Sequence, residues 1–136
     1  MNDKDLINEL VNKYGWSGDT LAVWRRARYC CEYCKVDLIA RVDDYLYGSH
    51  VDHIVPGGGE QLDNLALACK ACNFIKSDKN FSEVDRVLTR DELISKAADF
   101  IAHRRQENEQ RLNRVRDLLH LLDGSANGKT HSRVTA

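Results

Sequence analysis

The sequence is short of several things at once. No apolar run approaches the roughly 18–20 residues that a membrane-spanning helix needs, and the mean hydropathy is -0.51. A membrane protein is excluded. Charge of one sign is not in excess: 20 Lys+Arg stand against 21 Asp+Glu, for a formal net charge of -1. That excludes a bulk-basic nucleic-acid coat, so any basic footprint must be local. The first residues, Met1-Asn2-Asp3-Lys4-Asp5, lack the charged-then-apolar build of a signal peptide. The chain is therefore expected in the cytoplasm. There is no internal repeat. Within 136 residues this leaves one domain with a tail, and 43% hydrophobic residues suffice for a modest core.

What is present is concentrated in the cysteines. There are 5: Cys30, Cys31 and Cys34 in one cluster, Cys69 and Cys72 in another. A reduced compartment disfavours a disulfide framework. Two Cys-x-x-Cys pairs there read as a metal site.

Three segments and a tail organise the chain. Residues 1–30 are expected to be helical: Asp3 can cap a helix bearing Leu6, Ile7, Leu10 and Val11, and Gly15 ends it. A second short helix starts near Asp19 or Thr20 and carries Arg25, Arg26 and Arg28. Residues 31–80 hold the unusual spacings, and acidic residues outnumber basic ones there. Leu46 to Ile54 suits a strand, Pro56 and Gly57-Gly58-Gly59 force a loop, and Leu65-Ala66-Leu67-Ala68 suits a second, buried strand. A short helix follows from Lys70. Residues 81–123 form a helical extension, with Asp91 to Leu122 as one long helix or two. Its apolar positions recur by four and three, with polar interruptions at Arg105 and Asn108. Residues 124–136 are Gly/Ser/Asn/Thr-rich and expected to be disordered.

Cys31-Glu32-Tyr33-Cys34 and Cys69-Lys70-Ala71-Cys72 each aim two sulfurs from one turn. Two such turns complete a tetrahedron, the geometry that suits Zn²⁺. Reduced, metal-free cysteines are the alternative. A redox pair is disfavoured by the presence of two matched pairs, and rubredoxin-type iron by the missing glycine after the knuckles. Cys30 is the odd thiol, read as a small buried hydrophobe. Four thiolates leave zinc no open position, so this ion would be structural. Chemistry must come from residues between the knuckles or just after them.

His50-Val51-Asp52-His53-Ile54-Val55-Pro56 lies on the first expected strand. Alternation puts His50 and Asp52 on one face and His53 on the other, unless the strand's end re-aims them. Asn64 precedes the second strand, and Asn73 directly follows the last cysteine. Asp and Asn oxygens can share a hard cation such as Mg²⁺. A neutral imidazole can deprotonate a water. Together these are the parts for metal-assisted phosphodiester hydrolysis.

Cys31-x-x-Cys34, Asp52-His53-Ile54-Val55-Pro56, Leu62-Asp63-Asn64-Leu65 and Cys69-x-x-Cys72-Asn73-x-x-Lys76 resemble, in order and spacing, the HNH endonucleases. The likeness is to their zinc-stapled ββα-metal, treble-clef-like branch and spans roughly residues 25–78. It implies a small α+β nuclease core over residues 31–80, to which the periodicity adds flanking N-terminal helices and a long C-terminal helix. It implies further that His53 is the general base, that Asp52 and Asn73 hold the catalytic divalent ion, and that Asn64 braces the loop and the base. Asn73 makes this an HNN variant. The ion would contact the scissile phosphate and the 3′ leaving oxygen, giving 5′-phosphate and 3′-hydroxyl ends. Ser77 departs from the family, which commonly has glycine after the position of Lys76. DNA is the expected substrate. The phosphate contacts are expected from Arg25, Arg26 and Arg28, with Lys76 as a further contact. A second set, Arg104, Arg105, Arg111, Arg114 and Arg116, is mixed with acidic residues. The C-terminal helix is expected to pack on its own domain, with a homodimer or a larger phage or restriction assembly as alternatives. The competing function is a non-catalytic treble-clef zinc module that binds nucleic acid or protein; it is disfavoured because Asp52, His53 and Asn73 are all present.

Overall fold

In the computed structural model, which describes residues 1–125, the chain divides into two compact units, Met1–Ile101 and the segment from Ala102 onward. The first unit begins with α1 (Asp3–Tyr14) and α2 (Gly18–Arg26). Asn2, rather than Asp3, caps α1: its side chain accepts from the Asp5 amide at 3.0 Å. Asp3 instead sits in the first turn, where a carboxylate complements the helix dipole. Gly15, at φ 75, closes the helix. Ser17 caps α2 through the Thr20 amide.

A five-residue helix, α3 (Val42–Leu46), comes next, then β1 (Ser49–His53). The expected strand over Leu46 to Ile54 is thus shorter at both ends. Leu46 closes a helical turn, and the strand starts only after Gly48. A 3₁₀ turn (Leu62–Asn64) leads into β2 (Leu65–Cys69), which pairs antiparallel with β1. The register sets Ser49 opposite Cys69, Asp52 opposite Ala66 and His53 opposite Leu65. α4 (Lys70–Lys76) follows without a break, and α5 runs from Arg90 to Ser125. The order strand, loop, strand, helix agrees with the sequence, and the extension is one helix. The fold is a mixed α+β structure with a two-stranded sheet and a long C-terminal helix.

Every residue of β2 is buried, which explains its unbroken apolar run. A strand with one face in water alternates; this one is covered on both. Val23, Trp24, Leu38, Ile54, Leu67, Ala97 and Ile101 share its core, and each large apolar side chain stabilises the fold by about 2 kcal/mol. Trp16 stacks on Tyr45 and donates its indole N–H to the Tyr45 hydroxyl at 3.0 Å. That bond joins α3 to the segment between α1 and α2.

In the second unit Leu112, Val115, Leu118, Leu119, Leu121 and Leu122 are exposed. Gly124 and Ser125 extend α5 beyond the expected boundary; the rest of the expected disordered tail lies outside the described residues. Among the described residues no helix is long and apolar enough to cross a membrane.

Candidate active site and metal centre

The first cysteine knuckle is built from local hydrogen bonds. The Cys31 amide donates to the Val36 carbonyl at 2.9 Å, and the Lys35 amide to the Cys31 carbonyl at 2.8 Å. Lys35 takes φ 69, a left-handed turn made here without glycine. The Cys34 amide points at the Cys31 sulfur. The second knuckle repeats the device: Cys69 caps α4, and the Cys72 amide points at the Cys69 sulfur at 3.4 Å. The four sulfurs of Cys31, Cys34, Cys69 and Cys72 lie within 4.8 Å of one another. Cys34 and Cys69 are 3.7 Å apart, close to the edge of a tetrahedron with metal–sulfur bonds of about 2.3 Å. The donor set and its size fit a structural zinc. Hydrogen bonds from Cys69 and Cys72 hold the Cys31 thiol well below its usual range, so the cluster already favours a thiolate. Burial pushes Cys34 up to about 11. Cys30 stays outside the cluster and is half-buried; its backbone bridges to Asp37.

Asp52, His53 and Asn73 line one open cleft of about 570 Å³ with Pro56, Phe74, Ser77 and Asp78. Adjacent strand residues should face opposite ways, yet Asp52 and His53 meet in the same cleft. His53 is the last residue of β1. His50 is exposed and does not line this cleft. The Asp52 and Asn73 side chains offer oxygen donors, which suit a hard divalent cation.

Asn64 clasps the loop between the strands. Its side-chain oxygen accepts from the Val55 amide at 2.9 Å, and its amide donates to the carbonyls of Val55 (3.1 Å) and Gly59 (3.0 Å). Its own carbonyl accepts from the Ile54 amide at 2.8 Å. Gly58 is needed for this clasp, since a Cβ there would sit 3.1 Å from the Asn64 side-chain nitrogen and 3.0 Å from the Val55 carbonyl. Gly58 and Gly59 are therefore held against the Asn64 side chain.

One expected phosphate contact, Lys76, is corrected. Lys76 is fully buried. Its ammonium lies 3.0 Å from Asp52 Oδ2 and donates to the His53 carbonyl at 3.0 Å. A buried cation needs a buried partner, and Asp52 provides it. Arg26 is exposed, but its guanidinium is engaged by the carbonyls of Leu62 and Leu65. Burial and the neighbouring Arg90 lower its pKa below the usual arginine value. Arg25 and Arg28 are exposed. In the second unit Arg104, Arg111, Arg114 and Arg116 are exposed as well, while Arg105 is half-buried.

Three residues escaped the sequence reading. Tyr33 donates its hydroxyl to Asp52 Oδ2 at 2.5 Å. Burial, then the hydrogen bond to Asp52, push the phenol pKa far up, so it remains a donor. Glu60 Oε1 lies 2.7 Å from His53 Nε2. Glu32 is buried between the Leu67 amide (2.8 Å) and Arg90 (2.8 Å). Glu32 and Tyr33 are the two residues between the cysteines of the first knuckle, and spacing assigns them no role. Glu60 sits in a loop, where acids are ordinarily solvated.

No curated protein and no solved structure gives a significant match to this chain. The cysteine-bound core does: residues 31–79, which hold both knuckles, both strands, the Asn64 clasp and α4, match the family model of the HNH endonucleases.

Proposed function

We propose that this chain is a metal-dependent endonuclease that hydrolyses DNA phosphodiester bonds. The observation that carries this reading is the convergence of Asp52, His53 and Asn73 on one cleft, within a core of HNH endonuclease type. His53 is the general base. Its Nε2 faces the Glu60 carboxylate, which only accepts hydrogen bonds. The ring proton therefore resides on Nε2, and the lone pair on Nδ1 takes the proton from the attacking water. Asp52 and Asn73 hold a divalent cation such as Mg²⁺, which when bound supplies charge stabilisation for the scissile phosphate and the departing 3′ oxygen. Asn64 acts at one remove, by clasping the loop that follows His53. Zinc on the four cysteines has no open coordination position and stabilises the fold. Arg25 and Arg28 contact phosphates.

Cleavage of supercoiled plasmid tests the reading. Wild type should convert the plasmid with Mg²⁺ or Mn²⁺ and not with EDTA. A folded His53→Ala protein should lose about 10²–10⁴-fold in rate, the usual size of a general-base contribution. Full activity in folded His53→Ala would overturn the assignment.

A further inference from the structure

Lys76 is the last residue of α4, a position where lysine ordinarily reaches solvent. Here it has no exposure at all. Both of its described bonds run to the strand that bears the proposed base: Asp52 Oδ2 at 3.0 Å and the His53 carbonyl at 3.0 Å. Tyr33 donates to that same Asp52 oxygen at 2.5 Å. One oxygen of the carboxylate is thus taken by two donors, an ammonium and a phenol. Its other oxygen is the one left to serve a ligand. Across the cleft Asn73 is a neutral amide, and the remaining carboxylate in the lining, Asp78, is exposed to solvent. Glu60 faces His53 and is largely exposed.

We propose that Lys76 is the resident counter-ion of Asp52 and that, with Tyr33, it leaves the donor set one free carboxylate oxygen and no net charge, so that a divalent ion and a phosphodiester enter the cleft together. This rests on the reading of Asp52 and Asn73 as ion ligands. The charge arithmetic is simple. The Asp52 carboxylate is matched by the Lys76 ammonium at contact distance, where the attraction is only weakly screened. What remains for a dication is the dipole of Asn73, one carboxylate oxygen and water. Ions of the Mg²⁺ type are commonly held by one or two carboxylates together with substrate phosphates. The anionic phosphodiester supplies here the charge that Lys76 has cancelled. Lys76 and Tyr33 are positioning residues: they aim Asp52 and set its charge without touching the substrate.

The test is Mn²⁺ binding to the zinc-loaded full chain, followed by the electron paramagnetic resonance signal of the free ion. It is run with and without a phosphorothioate duplex, and ion held by the duplex alone is subtracted. In wild type the duplex should tighten Mn²⁺ binding at least tenfold. Lys76→Met, judged folded by its zinc content and circular dichroism, should bind Mn²⁺ at least tenfold more tightly than wild type without DNA. Equal affinity of wild type with and without the duplex overturns the proposal, whether or not the variant folds. So does a folded Lys76→Met protein with unchanged or weaker binding. Mn²⁺ binding that Asp52→Asn and Asn73→Ala both leave intact overturns the underlying ligand assignment instead, and the two failures are therefore distinct.

Discussion

Arg90 Nη2 donates to Glu32 Oε1 at 2.8 Å, joining the start of α5 to the first cysteine knuckle. The same guanidinium nitrogen donates to the Leu65 carbonyl at 2.9 Å, and the other Glu32 oxygen accepts from the Leu67 amide at 2.8 Å. Arg26 approaches that carboxylate at 3.8 Å. One buried acid thus balances two cations and one strand amide. Removing it leaves Arg26 and Arg90 facing each other and the Leu67 N–H without its acceptor. Glu32→Ala should cost about 3 kcal/mol. The check is the urea midpoint of zinc-saturated protein. A shift equivalent to less than about 0.5 kcal/mol, the scatter of ordinary surface substitutions, would show that this network is not structural.

The four-cysteine cluster predicts a second result. A strong chelator should remove one zinc per chain and unfold the first unit, because ion binding and folding are coupled in small modules of this kind. Cys34→Ser should do the same, while Cys30→Ser, outside the cluster, should keep its zinc. Acid should favour release. In the metal-free cluster Cys31 is already biased toward thiolate, whereas burial raises Cys34 to about 11. Hydrogen bonds with Cys31 and Cys69 raise the Cys72 thiol as well, so zinc must displace a proton from each of Cys34 and Cys72, and its affinity falls about tenfold per pH unit for each proton displaced. Zinc content after dialysis at a series of pH values measures this. A Cys34→Ser protein that is folded and binds no metal would end the staple reading.

Ser77 follows α4 at φ 52 and ψ -134. This is backbone that residues with a Cβ rarely adopt, and it is held by the Ser77 amide on the Asn73 carbonyl at 2.9 Å. Ser77→Gly should relieve the strain and stabilise the protein by about 1 kcal/mol, net of the extra freedom glycine gives the unfolded chain. Thermal unfolding with zinc present reads the effect. A lower midpoint would mean that the serine side chain makes a compensating contact.

The contrast between Cys69 and Lys76 shows how far the sequence could be read. Each knuckle is a short local turn, so the spacing of the cysteines already implied two facing turns, and the four sulfurs do gather within 4.8 Å of one another. β2 was legible because five consecutive buried positions leave an unbroken apolar run. Lys76 was not. Its environment is decided by Asp52, 24 residues earlier, and by Tyr33 beyond that; a helix-end lysine with no visible partner defaults to solvent. The bonds of Arg26 were equally hidden, since its acceptors are backbone carbonyls that no pattern announces. Leu46 was misread because an apolar residue beside a strand looks like part of it, although the preceding Asp43-Asp44 begin a helical turn. The pairing of charges across long stretches of chain is thus where the sequence pattern fell silent.

Glu60 and His53 give a prediction about tautomers. Glu60 Oε1 and His53 Nε2 are 2.7 Å apart. A carboxylate on Nε2 favours the proton there and leaves Nδ1 as the basic atom. In neutral solution the ¹⁵N shifts of His53 should show a protonated Nε2 in wild type and a mixture of tautomers in Glu60→Ala. Glu60 is largely exposed, so the loss should be modest, about tenfold in cleavage rate, the equivalent of one charge-assisted hydrogen bond. Unchanged shifts in Glu60→Ala would show that something other than Glu60 fixes the ring.

Arg25, Arg26 and Arg28 separate by what their guanidiniums touch. All three are exposed, but the Arg26 guanidinium is engaged by the Leu62 and Leu65 carbonyls. Counterion release gives phosphate contacts a signature: the logarithm of affinity falls linearly with the logarithm of salt, by about one unit of slope per contact. Arg25→Ala with Arg28→Ala should therefore flatten the salt dependence of duplex binding by about two units and leave stability unchanged. Arg26→Ala should do the reverse, lowering the urea midpoint because its hydrogen bonds to the Leu62 and Leu65 carbonyls and its approach to Glu32 are lost, with a slope close to wild type. Fluorescence anisotropy on a labelled duplex across a salt series reads the slopes. A double variant with the wild-type slope would move the DNA contact away from the end of α2.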